Sequence, residues 1–148
     1  MYQGKLLTKA YRVKWASHED ASCPLCGEGE ETTEHLMIEC LVSKRIWLRI
    51  MVAIELPVIC SSMEELWQVD KSLCTHWDKS ARAKISQILN PAVTWAIWLA
   101  RNHLVFRDTP VYEENIWESV ENFVKVWGLS CIGVKRVAFI RERLYVKE

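Results

Sequence analysis

The sequence predicts a mostly α-helical fold, and three observations carry that expectation. Apolar residues recur at three-and-four spacing through the second half, as in Ile85, Ile88, Leu89, Ala92, Trp95, Ala96 and Leu99. There is no clear Asn-Gly hairpin signal. Near the N-terminus the helical pattern gives way to Cys23-x2-Cys26-x8-His35-x4-Cys40, a spacing of metal ligands. The expected architecture is a helical domain with a Cys-Cys-His-Cys zinc-binding loop near its N-terminus.

The elements follow in order. Residues 5–14 place Leu6, Ala10 and Val13 on one helical face and Lys5, Lys9 and Arg12 on its neighbour. The metal loop is rich in acid, with Glu28, Glu30, Glu31 and Glu34. A helix is expected from Thr32 as N-cap, with Glu34 complementing the helix dipole. It runs through Leu36, Cys40, Ile46, Trp47, Ile50 and Met51 and ends before Pro57. Ser61-Ser62-Met63-Glu64-Glu65 offers a capping box for a short helix carrying Leu66 and Trp67. A long helical tract spans about Lys79 to Phe106, and Pro91 inside it is expected to kink or split it. Thr109-Pro110 marks a break. Residues 112–127 give a further helix with Ile116, Val120, Phe123, Val124 and Trp127 inward, closed by Gly128 as C-cap. The tail, Gly133 to Glu148, carries a weaker helical stripe of Val134, Val137, Ile140 and Leu144.

The ligand pattern has a chemical logic. Zinc is borderline-soft and has no geometric preference from d-electrons, so thiolates and imidazole suit it. Four protein ligands, Cys23, Cys26, His35 and Cys40, make a closed, structural site for one Zn2+, whereas a catalytic zinc keeps a position for water. Pro24 stiffens the Cys23–Cys26 turn and Gly27 lets the chain leave it at positive φ. His35 and Cys40 both face the metal if the helix frays or tightens between them. A redox pair of Cys23 and Cys26 is the competing reading, and it lacks the βαβ context of such pairs.

Composition narrows the class. At 148 residues the default is one domain over 1–148, with a zinc module at about 5–50 and a helical remainder at about 61–148. The formal net charge is zero, so no global field draws the chain to nucleic acid or membrane. No apolar signal-peptide region opens the sequence, and the longest apolar stretches are interrupted by Arg49, Glu55 and Arg101. These features predict an intracellular protein, nuclear or cytoplasmic, with neither membrane nor small-molecule partner.

Leu7-Thr8, Cys-Pro-Leu-Cys-Gly at 23–27, Glu-Thr-Thr-Glu-His-Leu at 31–36, Cys40, Ile46-Trp47, Trp95 to Asn102, and Phe106-Arg107 stand in an order that resembles the plant reverse-transcriptase zinc-binding domain. That domain is the C-terminal zinc module of LINE-type non-LTR retrotransposon reverse transcriptases. The resemblance covers residues 5–50 well and 85–107 moderately. It implies that Cys23, Cys26, His35 and Cys40 are the metal ligands, and that the module holds RNA or single-stranded DNA beside a reverse transcriptase. The family has Pro where Leu41 follows the last cysteine, and it begins earlier, so the resemblance implies truncation at the N-terminus. No polymerase, RNase H or endonuclease motif accompanies the module, which points to a non-catalytic role.

Other residues carry two readings each. Lys5, Lys9, Arg12 and Lys14 with Lys135, Arg136, Arg141, Arg143 and Lys147 form either a basic nucleic-acid face or ordinary solvated helix faces. Arg101 and Asn102 either touch nucleic acid or bridge helices, with the bridge favoured. Cys60, Cys74, His76 and Cys131 match no common metal template, and the three cysteines among them read as buried free thiols. His18 reads as a loop residue, and His103 has no identifiable base partner. The Trp series at 95, 98, 117 and 127 reads as core before stacking platform. Two functions therefore stand: a zinc-stabilised module assisting nucleic-acid binding, or a protein-interaction domain or retroelement remnant without it.

Overall fold

The computed structural model describes residues 6–10, 20–53, 62–64 and 79–131. The remainder of the expected helix over 5–14, the helix of Leu66 and Trp67, and the tail lie outside these residues. The described part is mostly helical. A π-helical turn, His35–Glu39, is followed by α1 (Leu41–Ala53), α2 (Lys79–Arg107) and α3 (Glu113–Cys131). Among the described residues the only β pairing is one antiparallel bridge between Ser22 and Glu30. None of these helices is long and apolar enough to cross a membrane.

The helix expected from Thr32 to before Pro57 is two elements. Thr32 does cap its start: the Thr32 hydroxyl accepts the His35 amide at 2.9 Å. At Cys40 the backbone leaves helical geometry (φ −54°, ψ 134°) and α1 begins afresh. The carbonyls stranded by that break are taken up by side chains of α1. Ser43 Oγ donates to the Leu36 carbonyl at 2.6 Å, and Trp47 Nε1 donates to the Met37 carbonyl at 2.8 Å. Both donors are buried, so the break is satisfied internally.

Pro91 does not split α2, which runs unbroken from Lys79 to Arg107. Ile88 and Leu89 before the proline and Ala92, Val93, Ala96 and Ile97 after it are buried in one core. Their packing outweighs the single backbone donor that proline lacks. The expected break at Thr109-Pro110 is present. Asp108 adopts φ 48°, a left-handed conformation that Asp tolerates, and ends the helix. Helix α3 then starts with Asn115 Oδ1 accepting the Tyr112 amide at 3.0 Å, one half of a capping box. Glu113 and Glu114 in its first turn suit the dipole. Gly128 does not cap α3; the helix continues to Cys131.

Helices α2 and α3 pack along each other as an antiparallel hairpin. Ala100 and His103 face Ile116 near the turn, and Trp95 and Trp98 share a groove with Trp127 at the far end. Helix α1 lies against both and buries Ile46, Trp47, Ile50 and Met51. Arg45 reaches Glu113 at 3.6 Å, and the Arg49 guanidinium sits 4.1 Å from the Trp117 ring centre, so α1 is also tied to α3 at the rim.

One charged pair lies inside this core. Arg101 on α2 and Glu31 in the metal loop are both 0% exposed. Arg101 Nε donates to Glu31 Oε1 at 2.6 Å and Nη2 donates to Oε2 at 2.9 Å, a two-point fork. Glu31 Oε2 also accepts the Lys9 amide at 2.5 Å. Arg101 thus has a structural role, but it ties α2 to the metal loop rather than helix to helix, and its full burial removes it as the expected nucleic-acid contact. Removing one member strands a buried charge, so Arg101→Ala is expected to lower stability by about 3–5 kcal/mol. Arg101→Lys keeps the charge without the fork and should recover only part of that. Urea unfolding of the zinc-loaded chain measures both, and a loss below about 1 kcal/mol would assign the pair the weight of a surface contact.

Candidate metal centre

The first two ligands come from a folded-back loop. The Ser22–Glu30 bridge closes it, with the Cys23 amide donating to the Gly29 carbonyl at 2.9 Å and the Glu31 amide to the Ala21 carbonyl at 2.8 Å. Within it the Gly27 amide donates to the Cys23 carbonyl at 2.8 Å, and Gly27 leaves the turn at φ 73° as expected. Gly29 has a stricter requirement. It sits at φ 68°, and a Cβ there would lie 3.1 Å from His35 Cε1 and 3.3 Å from His35 Nδ1. The loop can close over the imidazole only because residue 29 has no side chain.

The other two ligands come from the π turn. The Cys40 amide donates to the His35 carbonyl at 2.7 Å, a bond across five residues. The turn therefore neither frays nor tightens between the ligands, as the sequence suggested; it widens, and that stacks Cys40 over His35.

All four ligand atoms lie within 4.8 Å of one another. Cys23 Sγ and Cys40 Sγ are 3.9 Å apart, and Cys26 Sγ and His35 Nε2 are 3.4 Å apart. A tetrahedral zinc with ordinary bond lengths has S···S edges of about 3.8 Å and S···N edges of about 3.5 Å. The donor set and its spacing fit one Zn2+, held by three thiolates and one imidazole with no ligand position left over. Among the described residues this is the one such cluster. Cys60, Cys74 and His76 lie outside those residues.

The surroundings prepare the ligands. Cys40 is the residue before α1, and the Val42 and Ser43 amides at that helix start point to its sulfur. The Cys23 thiol donates to it, and this bond, aided by the amides and opposed by burial, pulls Cys40 down to about 5. Cys23 is pushed up, because its proton holds that bond and because it is buried; the Leu25 and Cys26 amides oppose the rise. On the imidazole, Nε2 faces Cys26 while Nδ1 faces the Glu39 carboxylate at 3.9 Å. That charge favours a proton on Nδ1 and leaves the Nε2 lone pair for the metal.

The remaining site expectations divide by position. Lys9 is three-quarters covered and pairs with Asp20 at 3.7 Å. Lys5, Arg12, Lys14, Lys135, Arg136, Arg141 and Arg143 lie outside the described residues. Three contributors to the site were not singled out from sequence for the roles they play. Gly29 is signalled by its place in Gly-Glu-Gly. Glu39 is signalled by its i,i+4 spacing from His35. Glu31 stands among glutamates, and nothing local separates it from its exposed neighbours.

Three outcomes follow from this geometry. Chain purified without chelator should carry one zinc by metal analysis, and Cys26→Ser or His35→Ala should lose it together with cooperative unfolding. Because thiol ligands must lose their protons to bind the metal, zinc affinity should rise with pH and fall on acidification, with proton release visible by calorimetry in buffers of different ionisation enthalpy. Gly29→Ala should cost about 1–2 kcal/mol from the left-handed backbone alone. It should also weaken zinc in a chelator competition, whereas Gly27→Ala, with open space around it, should show only the backbone cost.

Comparison with known proteins agrees with the geometry where it finds a match. No curated protein and no solved structure matches the chain. The stretch that holds all four ligands, residues 1–47, matches the family described as zinc-binding in reverse transcriptase.

Proposed function

We propose that the chain is a non-catalytic zinc module, derived from a retrotransposon reverse transcriptase, that assists binding of RNA or single-stranded DNA. The observation that carries this reading is the closed Cys23-Cys26-His35-Cys40 cluster inside a segment that matches a reverse-transcriptase zinc-binding family. Four protein ligands complete the tetrahedron, so the metal's chemistry is to hold the loop rather than to activate water. Three thiolates on one divalent ion leave a net charge of about −1, with Glu28 and Glu30 exposed beside it. Phosphate is repelled there. The contacts are assigned to the basic groups near the two ends, Lys5, Arg12, Lys14, Lys135, Arg136, Arg141 and Arg143, with the metal loop as scaffold.

A second reading, a protein-interaction domain, is favoured by one feature. Trp95 is 47% exposed at the edge of an apolar groove of about 400 Å³ lined also by Leu6, Met37, Met63, Trp98 and Trp127. Anisotropy of labelled single-stranded RNA and DNA with the zinc-loaded chain separates the two. The nucleic-acid role predicts binding that weakens as a power of salt concentration, by roughly one log unit per log unit of salt for each phosphate neutralised. A flat titration at low salt selects the protein-interaction reading.

A further inference from the structure

Among the described residues, helix α1 presents a second face that stays about half exposed. Its inward side holds Ser43, Ile46, Trp47, Ile50 and Met51. On its outward side Leu41, Leu48 and Val52 are 53%, 49% and 53% exposed. At helical geometry these three lie within about 40° of arc and along roughly 16 Å of axis. Scattered exposed aliphatics are ordinary, but three in one stripe on a helix of thirteen residues are a surface. With Arg45 they occupy i, i+4, i+7 and i+11, the spacing of a two-helix seam.

The charges beside the stripe specify what fits it. Arg45 and Arg49 border one edge and Lys44 the other, all three exposed. The helix contains no acidic residue. Arg45 is already paired with Glu113, so the cations left to the stripe are Lys44 on one edge and Arg49, held over Trp117, on the other. The nearest acid before the helix, Glu39, is turned toward His35. A second copy of this chain would bring like charges together along both edges, which disfavours self-pairing. Single-stranded nucleic acid would find cations here but no ring on which to stack a base, since the stripe holds no aromatic residue.

We infer that the outward face of α1 docks an amphipathic helix of a partner protein, with aliphatic residues meeting Leu41, Leu48 and Val52 and acidic residues meeting Lys44 and Arg49. This is the helix-on-helix mode of peptide recognition, with apolar contact for affinity and charge for orientation and choice of partner. It is independent of the nucleic-acid role, which is assigned to other residues.

The test uses the zinc-loaded full chain and two labelled amphipathic peptides of identical leucine pattern, one edged with Glu and one with Lys. The acidic peptide should bind and the basic one should not, with binding weakened by salt. Leu48→Asp should abolish binding, and Lys44→Glu should weaken the acidic peptide by about tenfold while improving the basic one. Helical content and zinc content report that both variants fold, and Lys44→Glu alone suffices should Leu48→Asp not. Single-stranded RNA affinity should be unchanged in both. Equal binding of the two peptides, or peptide binding indifferent to Lys44→Glu, overturns the inference. Loss of RNA binding in these variants with no effect on peptide assigns the face to nucleic acid and overturns it equally.

Discussion

The Glu31–Arg101 pair is the contact on which the arrangement of this structure depends. Three parts of the chain meet at one carboxylate. The loop supplies Glu31, α2 supplies the guanidinium, and the N-terminal segment supplies the Lys9 amide. The Ala10 amide also reaches the Glu31 carbonyl, at 3.4 Å. Metal binding can order the loop, but by itself it leaves open where the loop sits on the helices. Leu36 and Met37 supply apolar contact, which is non-directional and accepts neighbouring registers at similar cost. A buried charge does not: it is satisfied in one arrangement and strongly penalised in others. The pair therefore selects the register in which the loop and the hairpin meet. Trp98 and Phe106, whose ring centres lie 5.2 and 5.8 Å from the guanidinium, add to its enclosure.

Much of this was legible in the chain because it is local. The four ligands, the Gly27 turn, the Thr32 cap and the break after α2 each depend on a few adjacent residues, and each has a mechanism that acts at that range. What escaped is what depends on distance. Arg101 lies seventy positions from Glu31, and four glutamates in the loop were equally eligible as its partner. Pro91 and Gly128 are strong local punctuation, yet both lie inside helices. Around Pro91 a shared core decides against the local preference, and at Gly128 the cost of glycine in a helix is only about 1 kcal/mol. The π turn is a different case. Five-residue spacing of His35 and Cys40 is visible in the sequence, but widening was not the only way to bring them together. Its choice rests on Ser43 and Trp47 being placed to receive the stranded carbonyls.

The acidic character of the loop also changes once the residues are placed. Glu31 is neutralised internally. Glu34 accepts the Met63 amide at 2.9 Å and so fixes a second distant segment against the π turn. Glu39 is turned to the imidazole. Only Glu28 and Glu30 remain as solvent-facing charge without such a role. Acid in this loop is thus mainly structural.

Cys40 joins the metal to the helices through a single residue. Its backbone accepts the first turn of α1, with the Lys44 amide donating to the Cys40 carbonyl at 2.8 Å, while its sulfur faces both the metal position and the α1 amides. The negative charge that zinc requires of the ligand is the same charge that the helix start favours. Ligand and cap are therefore mutually supporting, and binding the metal fixes where α1 begins as well as how the loop closes. Because the side chains of Ser43 and Trp47 are set by that starting point, the satisfied carbonyls of the π turn depend on it too. The stabilisation supplied at the metal reaches the apolar core through helix phase, since a shift of one residue in α1 would turn Ile46, Trp47 and Ile50 away from it.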